Sequence, residues 1–387
     1  MDEDPDHALL APLASPDAAP RSLLPVEAAP VDDFEGAFGV LTRIRERLRA
    51  VVRGRDDAID LISIALLADG HVLLEDFPGS GKTTLAKALG DSIVDDAPLT
   101  SAGTSAGNGI VAFRRIQFTP DLLPSDITGT TVFEPAAGRF SFRPGPIFAH
   151  VVLADEINRT SPKVQAALLE AMAEKQVTID NATRPLDELF FVIATQNPLD
   201  LAGTFPLPAA QLDRFLFKIR MTHIDRASEL EVLAGYKARL AGRPRTSPEL
   251  PRVTRSEILG ARAFAAANVH VAREVQECLV DLAEETRKSP HVAQGASTRA
   301  LVLMIPALQV RALGQRRDFA SADDVEALAR FVFAHRLDLA PGIEDADAVV
   351  RACLQRPLER LARASMRSPA AFAVRAPSHG EGVRSRL

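Results

Sequence analysis

The run Glu75-Asp-Phe-Pro78-Gly79-Ser80-Gly81-Lys82-Thr83-Thr84 gathers residue types that hold phosphate. Glycines let the backbone wrap an anion with its amide hydrogens pointing inward. The helix expected to open at Lys82 adds positive partial charge from its N-terminus. Lys82 supplies a full charge for the β and γ phosphates of a nucleotide, and Thr83 a hydroxyl for Mg²⁺. Asp76 stands where the general phosphate-binding pattern has its first glycine. Two carboxylates, Asp155 and Glu156, follow the apolar run Val151-Val-Leu-Ala, 73 residues after Lys82. Asp155 would hold Mg²⁺ through water, and Glu156 would orient the attacking water or accept its proton. Alone, such a pair also fits a helix N-cap. Asn197 ends another apolar run and can help position that water; read by itself, Asn197-Pro198 is a turn. Two arginines, Arg214 in Gln211-Leu-Asp-Arg-Phe215 and Arg299 in Gly295-Ala-Ser-Thr-Arg299, are candidates for a γ-phosphate contact. Such a contact is worth about 10³–10⁵ in rate. With 38 arginines in the chain, spacing does not select these two, and a surface ion pair is the alternative.

These residues need strands that end together and helices that start there. Apolar runs at 71–75, 147–154, 190–194 and 215–217 read as strands. A helix from Lys82 follows the first. Ser161-Pro162 opens another as N-cap and first turn, with Val164, Leu168 and Met172 on one face. Strands alternating with helices predict a parallel sheet covered on both sides. Beyond residue 224 the strand signals stop. Helices are expected at 228–241, 255–267, 272–288, 298–313 and 321–335, with a capping box at Ser321 and Asp324 and a kink at Pro306. Thr131-Val-Phe133 and Arg139-Phe-Ser-Phe142 alternate around Pro-Ala-Ala-Gly138 as a hairpin should.

The chain has 387 residues, 47% hydrophobic and 25% charged, so most of it can bury a core. Residues 1–33 carry eight acidic groups and one basic group and read as a disordered acidic arm. Residues 366–387 read as a flexible basic tail, and the Gly- and Ser-rich stretch 95–110 as a mobile loop. No membrane span is expected. Met-Asp-Glu-Asp-Pro-Asp lacks the features of a secretory signal, so cytoplasm is the expectation. A net charge of −6 gives little support to nucleic-acid binding. Cys278 and Cys353 sit among apolar residues at helical spacing and read as core packing.

These stretches resemble the MoxR family of AAA+ ATPases. The resemblance runs in order through His71–Thr83, Arg115–Gly129, Phe142–Phe148, Leu153–Arg159, Ala194–Pro198, Leu207–Lys218 and Gly295–Arg299, over roughly residues 35–340. It implies a P-loop AAA+ α/β domain with a helix-2 insert hairpin, followed by a small all-α lid. The boundaries expected are an arm at 1–33, the nucleotide-binding domain at 34–223, the lid at 224–340, a helical segment at 341–365 and the tail at 366–387. It implies ATP and Mg²⁺ as ligands. Arg214 looks like the arginine finger that reaches a neighbouring subunit, and Arg299 like the sensor-2 arginine of the lid. Gly54 sits where the family contacts adenine; Arg55 stands where the family usually has Gln. A homo-oligomeric ring, usually a hexamer, follows, and a client protein, in this family often one with a von Willebrand A domain. Gly129–Phe142 looks like the insert that points to the ring pore. Phe133, Phe140 and Phe142 could grip a client or pack onto their own domain.

The function expected is Mg-dependent ATP hydrolysis coupled to remodelling or activation of a partner protein. A nucleotide-gated scaffold with little turnover and a nucleic-acid motor are the alternatives. The chain has no Asn-Lys-x-Asp guanine reader, which disfavours a GTPase.

Overall fold

A computed structural model describes residues 31–76, 80–96, 110–197, 203–240 and 250–367. Asp33 caps α1 (Phe34–Val51), its carboxylate accepting from the Gly36 N–H at 2.7 Å. After α1 come α2 (Asp56–Leu67), β1 (Val72–Asp76), α3 (Lys82–Gly90), the short β2 (Ile93–Val94) and β3 (Val111–Gln117). A short α4 (Pro124–Thr128) leads into the hairpin β4 (Gly129–Glu134) and β5 (Arg139–Pro144). Next are β6 (Ala149–Asp155), α5 (Pro162–Glu174), a second hairpin of β7 (Gln176–Ile179) and β8 (Ala182–Pro185), β9 (Phe191–Gln196), α6 (Ala209–Leu212) and β10 (Phe217–Met221). The rest is α7 (Arg226–Leu240), β11 (Val253–Thr254), α8 (Arg255–Asn268), α9 (Arg273–Lys288), β12 (Val292–Gln294), α10 (Thr298–Gly314), α11 (Ala322–Phe333), β13 (Asp338–Leu339) and α12 (Ala346–Arg367).

The main sheet has five parallel strands in the order β10-β1-β9-β6-β3. Its central strands are buried on both faces, and successive residues feed different cores. Val72, Leu74, Val151, Leu153, Phe191 and Ile193 face one apolar cluster. Leu73, Val152, Ala154, Val192 and Ala194 face the other. This is the period of two that a strand imposes, and it explains why these strands read as unbroken apolar runs.

The first cluster runs on without a break into the helical region. Ile44 and Leu48 of α1 and Ile62 of α2 share it with Ile258, Leu308 and Val332. α1 packs on α3, α8 and α10 alike, so the helical lid is seated on the sheet domain through α1 and α2. Within the helical region, Asp324 fastens the start of α11 to the turn that follows α10. It is fully buried, accepts from the Ser321 N–H at 2.8 Å as the capping box requires, and pairs with Arg317 at 2.8 Å.

The helices beyond residue 224 start and stop within two or three residues of the expectation, and Pro306 lies inside α10. Three expectations need correction. Strands do not stop at residue 224: β11, β12 and β13 pair with β2 and with each other. They are two or three residues long, too short for a periodic signal. Ser161 occupies the N-cap position of α5, with Pro162 in the first turn, but its side chain makes no capping hydrogen bond. The fourth strand begins at Phe217, because Phe215 and Leu216 complete the turn out of α6. The acidic arm up to residue 30, the loop over 97–109 and the tail from 368 lie outside the described residues.

Candidate functional site

The sheet register brings the sequence-predicted residues to one edge. Leu74 pairs with Thr195, Ala154 with Ala194, and Gln117 with Asp155, so the C-terminal ends of β1, β9, β6 and β3 lie in a row. β3 follows β1 in sequence but lies three strands away in the sheet. In open α/β sheets ligands bind outside the carboxyl ends, where the strand order reverses.

Pro78 and Gly79 lie outside the described residues. Ser80 and Gly81 deliver the chain into α3. Gly81 has φ +94°, a left-handed conformation that side chains rarely adopt, and no described residue lies within 4 Å of where its Cβ would point. Lys82, Thr83 and Thr84 form the first turn of α3 and are half-buried.

Asp155 is the last residue of β6 and is buried. One carboxylate oxygen accepts from the Thr195 hydroxyl at 2.7 Å and lies 3.6 Å from Lys82 Nζ. The other accepts from Arg115 Nη2 at 2.6 Å. Burial works against its charge. The Thr195 hydroxyl, the Arg115 guanidinium and the Lys82 ammonium together more than offset burial, and hold the pKa below the usual range.

Glu156 turns away from the strand with φ +59° and ψ +49°. That conformation costs a non-glycine residue about 1–2 kcal/mol, and such strain concentrates at functional sites. Its N–H donates to Thr195 Oγ1 at 2.9 Å. Its carboxylate accepts from the Gln117 amide at 3.0 Å and lies 3.0 Å from Arg159 Nε. Thr195 is therefore a bridge that fixes both acidic residues at once.

Thr195, Arg115 and Gln117 were not singled out from the sequence. Thr195 had a signal, being the one hydroxyl buried at the end of the Phe190–Ala194 run. Arg115 and Gln117 sit two apart on an edge strand, and only the strand order places them beside Asp155. Glu75, at the end of β1, adds a further charged group. It pairs with Lys218 at 2.8 Å and Arg220 at 3.1 Å and accepts from Gln196 at 3.0 Å. Burial opposes its ionisation, but Lys218, Gln196 and Arg220 hold its pKa below the usual value.

Asn197 follows β9 directly and is half-buried, beside the Thr195 bridge. Arg214 is not gathered into this cluster. It donates to the Leu169 carbonyl of α5 and lines a separate cleft of about 480 Å³ with Glu170, Glu174 and Gln211. Arg299 is exposed on the first turn of α10, close enough to Arg336 to act on its charge. Ser297, just before α10, donates to Asp213 at 3.0 Å, and Asp213 pairs with Arg336 at 2.7 Å. Neither Arg214 nor Arg299 forms an ion pair among the described residues.

Gly54 has φ +66°, and a Cβ there would lie 2.6 Å from Ser228. Arg55 is buried and donates to the Thr222 carbonyl and, at 3.3 Å, to the Ser80 carbonyl. It ties the backbone at Ser80 to the residue that follows β10.

The hairpin divides its aromatics. Phe142 packs on Phe148 at 5.6 Å between ring centres and lies under the Arg184 guanidinium. Phe133 and Phe140 pair with each other at 5.1 Å and remain 50% and 72% exposed. Cys278 is buried, and burial pushes its thiol up to about 12, which fits the core-packing reading.

Two family models match the chain. One is the ATPase family associated with various cellular activities (AAA), over residues 71–217. The other is the AAA lid domain, over residues 284–353. The uncharacterized protein YeaC of Bacillus subtilis is 43% identical over 322 residues, covering 82% of this chain and 94% of that protein. Chaperone MoxR1 of Mycobacterium tuberculosis is 36% identical over 335 residues, covering 82% of each. The crystal structure of a candidate ATPase from Cytophaga hutchinsonii superposes with a TM-score of 0.70 at 33% identity, covering 83% of this chain and 96% of that one. No helix among the described residues is long and apolar enough to cross a membrane.

Proposed function

The chain belongs to the MoxR family of AAA+ ATPases, and from that premise we propose that it hydrolyses ATP with Mg²⁺ in an oligomeric ring and uses the cycle to remodel a partner protein. The observation that carries this reading is the cluster of Lys82, Asp155, Thr195 and Glu156 at the carboxyl ends of β1, β6 and β9.

The donor set fits a magnesium nucleotide. Asp155 offers an ionised oxygen, Thr83 a hydroxyl on the first turn of α3, and Gly81 a backbone that no described side chain covers, where a phosphate can approach N–H groups. Magnesium, when bound, neutralises phosphate charge and fixes the β and γ phosphates relative to each other. Lys82 is assigned to those phosphates; leaving Asp155 costs it a contact of only 3.6 Å. Glu156 is assigned to the proton of the attacking water and Asn197 to the water's orientation. Thr195 holds Asp155 and Glu156 at a fixed separation, which is where positioning gains its rate.

Gly54 is assigned to the adenine; its left-handed backbone packs so closely on Ser228 at the start of α7 that a Cβ would lie 2.6 Å from that side chain. Arg214 is assigned to a neighbouring subunit's γ-phosphate. Its separation from its own Lys82 cluster, and its position on the rim of an open cleft, support a role in trans. Arg299, on the lid beside Asp213 and Arg336, is assigned to the nucleotide from the lid side. A ring, expected to be hexameric, would bring these parts together. Phe133 and Phe140 are the exposed aromatic surface with which the hairpin would grip a client, a protein with a von Willebrand A domain being the first to try.

The nucleotide-gated scaffold keeps a place beside this reading, because the Glu156 carboxylate is engaged by Gln117 and Arg159 and has to be released before it can act. The test is Glu156→Gln. The account expects ATP binding to persist and steady-state hydrolysis to fall by at least about 10²-fold. Unchanged hydrolysis would remove Glu156 from the mechanism.

A further inference from the structure

Arg115 makes the shortest charged contact at the site, yet no step above uses it. Its guanidinium lies against one oxygen of Asp155, with Nη2 at 2.6 Å and Nε at 3.2 Å. The same Nη2 donates to Gln117 Oε1 at 2.8 Å. A primary amide has one acceptor end and one donor end, so this contact fixes which end Gln117 turns to its other neighbour. The NH₂ group goes to Glu156 Oε2, at 3.0 Å. Arg115 and Gln117 are two residues apart on β3 and share a face of the strand. One arginine thus holds both acidic residues, Asp155 directly and Glu156 through the amide.

The two Asp155 oxygens are held differently. One is fixed by the buried Thr195 hydroxyl, which belongs to the fold. The other is held by a side chain 46% exposed, whose end can swing into solvent without burying a charge. A hydrated dication approaching Asp155 meets a positive group already in place. We propose that Arg115 is a positioning residue that competes with magnesium for Asp155. This rests on the reading of Asp155 as part of a magnesium nucleotide site. While Arg115 stays in place its charge opposes the cation at that carboxylate, and when it swings out Asp155 keeps its full charge for the cation.

The experiment measures binding of a fluorescent N-methylanthraniloyl ADP to the full chain against free Mg²⁺, with an EDTA endpoint, for wild type, Arg115→Gln and Arg115→Lys. Arg115→Ala gives the same prediction from a shorter side chain should the Gln variant fold poorly. Removing one positive charge beside a dication site should lower the half-maximal Mg²⁺ concentration about tenfold in Arg115→Gln. Arg115→Lys, which keeps the charge, should stay within about threefold of wild type. Affinity in EDTA should not rise in any variant, which a general tightening of the pocket would not predict. An unchanged or higher Mg²⁺ requirement in Arg115→Gln, or an equal gain in EDTA, overturns the proposal. If wild type binds the nucleotide with no dependence on Mg²⁺, the reading of Asp155 fails and the proposal falls with it.

Discussion

Replacing Thr195 by Val should damage both stability and turnover while changing almost nothing in shape. The two side chains are nearly equal in size, so no cavity opens. What is lost is one hydroxyl that donates to Asp155 at 2.7 Å and accepts from the Glu156 N–H at 2.9 Å. The first is a hydrogen bond to a buried carboxylate, worth about 1.5–3 kcal/mol; the second leaves a partly buried N–H unpaired, at a cost of about 1 kcal/mol or more. Arg115 and Lys82 still neutralise Asp155, so the net destabilisation should be about 2–3 kcal/mol. Urea denaturation followed by far-UV circular dichroism reads it directly. Glu156 also loses the anchor that holds its left-handed turn. A carboxylate displaced by about 1 Å costs on the order of 10² in rate. Steady-state ATPase rates of Thr195→Val should fall by that factor, and Thr195→Ser should recover to within about threefold. A Val variant within about 0.5 kcal/mol of wild type and with an unchanged rate would refute the bridging role.

His150 is buried between Asp95 at 2.8 Å and Asp187 at 3.4 Å, and Arg255 closes the network on Asp187 at 2.9 Å. Burial disfavours the imidazolium, but the two carboxylates outweigh it and raise its pKa to about 9. A folded pKa above the unfolded value of 6.5 gives stability that is complete below pH 6.5 and lost as pH rises through about 9. Thermal melts should decline over that window in wild type and much less in His150→Gln. Gly54→Ala should destabilise by about 1–3 kcal/mol and weaken nucleotide binding, because its Cβ would meet Ser228 at 2.6 Å with φ at +66°. Differential scanning calorimetry and a nucleotide titration check the two effects. Phe133→Ala with Phe140→Ala should leave unfolding within about 0.5 kcal/mol of wild type, since both rings are exposed. It should weaken capture of a client that the parent chain binds.

The candidate carboxylates and the lysine beside them were legible because each lies in a motif that is short, local and carried by an apolar strand. Lys82, Asp155 and Glu156 need only a strand before them and a turn after. The lid helices were legible too, since their amphipathic period and caps, such as Ser321 with Asp324, are local signals. Arg115 and Gln117 were not, because their meaning depends on β3 lying beside β6, 40 residues apart in the Arg115–Asp155 pair. No periodicity states a strand order. Val111–Gln117 also carries two arginines, as an edge strand with one open side can, and so lacks the apolar run that marked its neighbours. The hairpin aromatics were ambiguous for a related reason. Alternation puts Phe133 and Phe142 on defined faces, but which face meets Phe148 is decided by the rest of the fold.

The proposed ATP-hydrolysing site is built around Glu156 and completed by Arg214 of a neighbouring subunit. Steady-state ATPase rate against protein concentration, with light scattering in parallel, tests it most directly in wild type and Glu156→Gln. A shared site requires a specific rate that climbs as larger particles form, and no turnover in Glu156→Gln at any concentration. A specific rate independent of concentration would contradict the shared site, and turnover that survives in Glu156→Gln would contradict the chemistry.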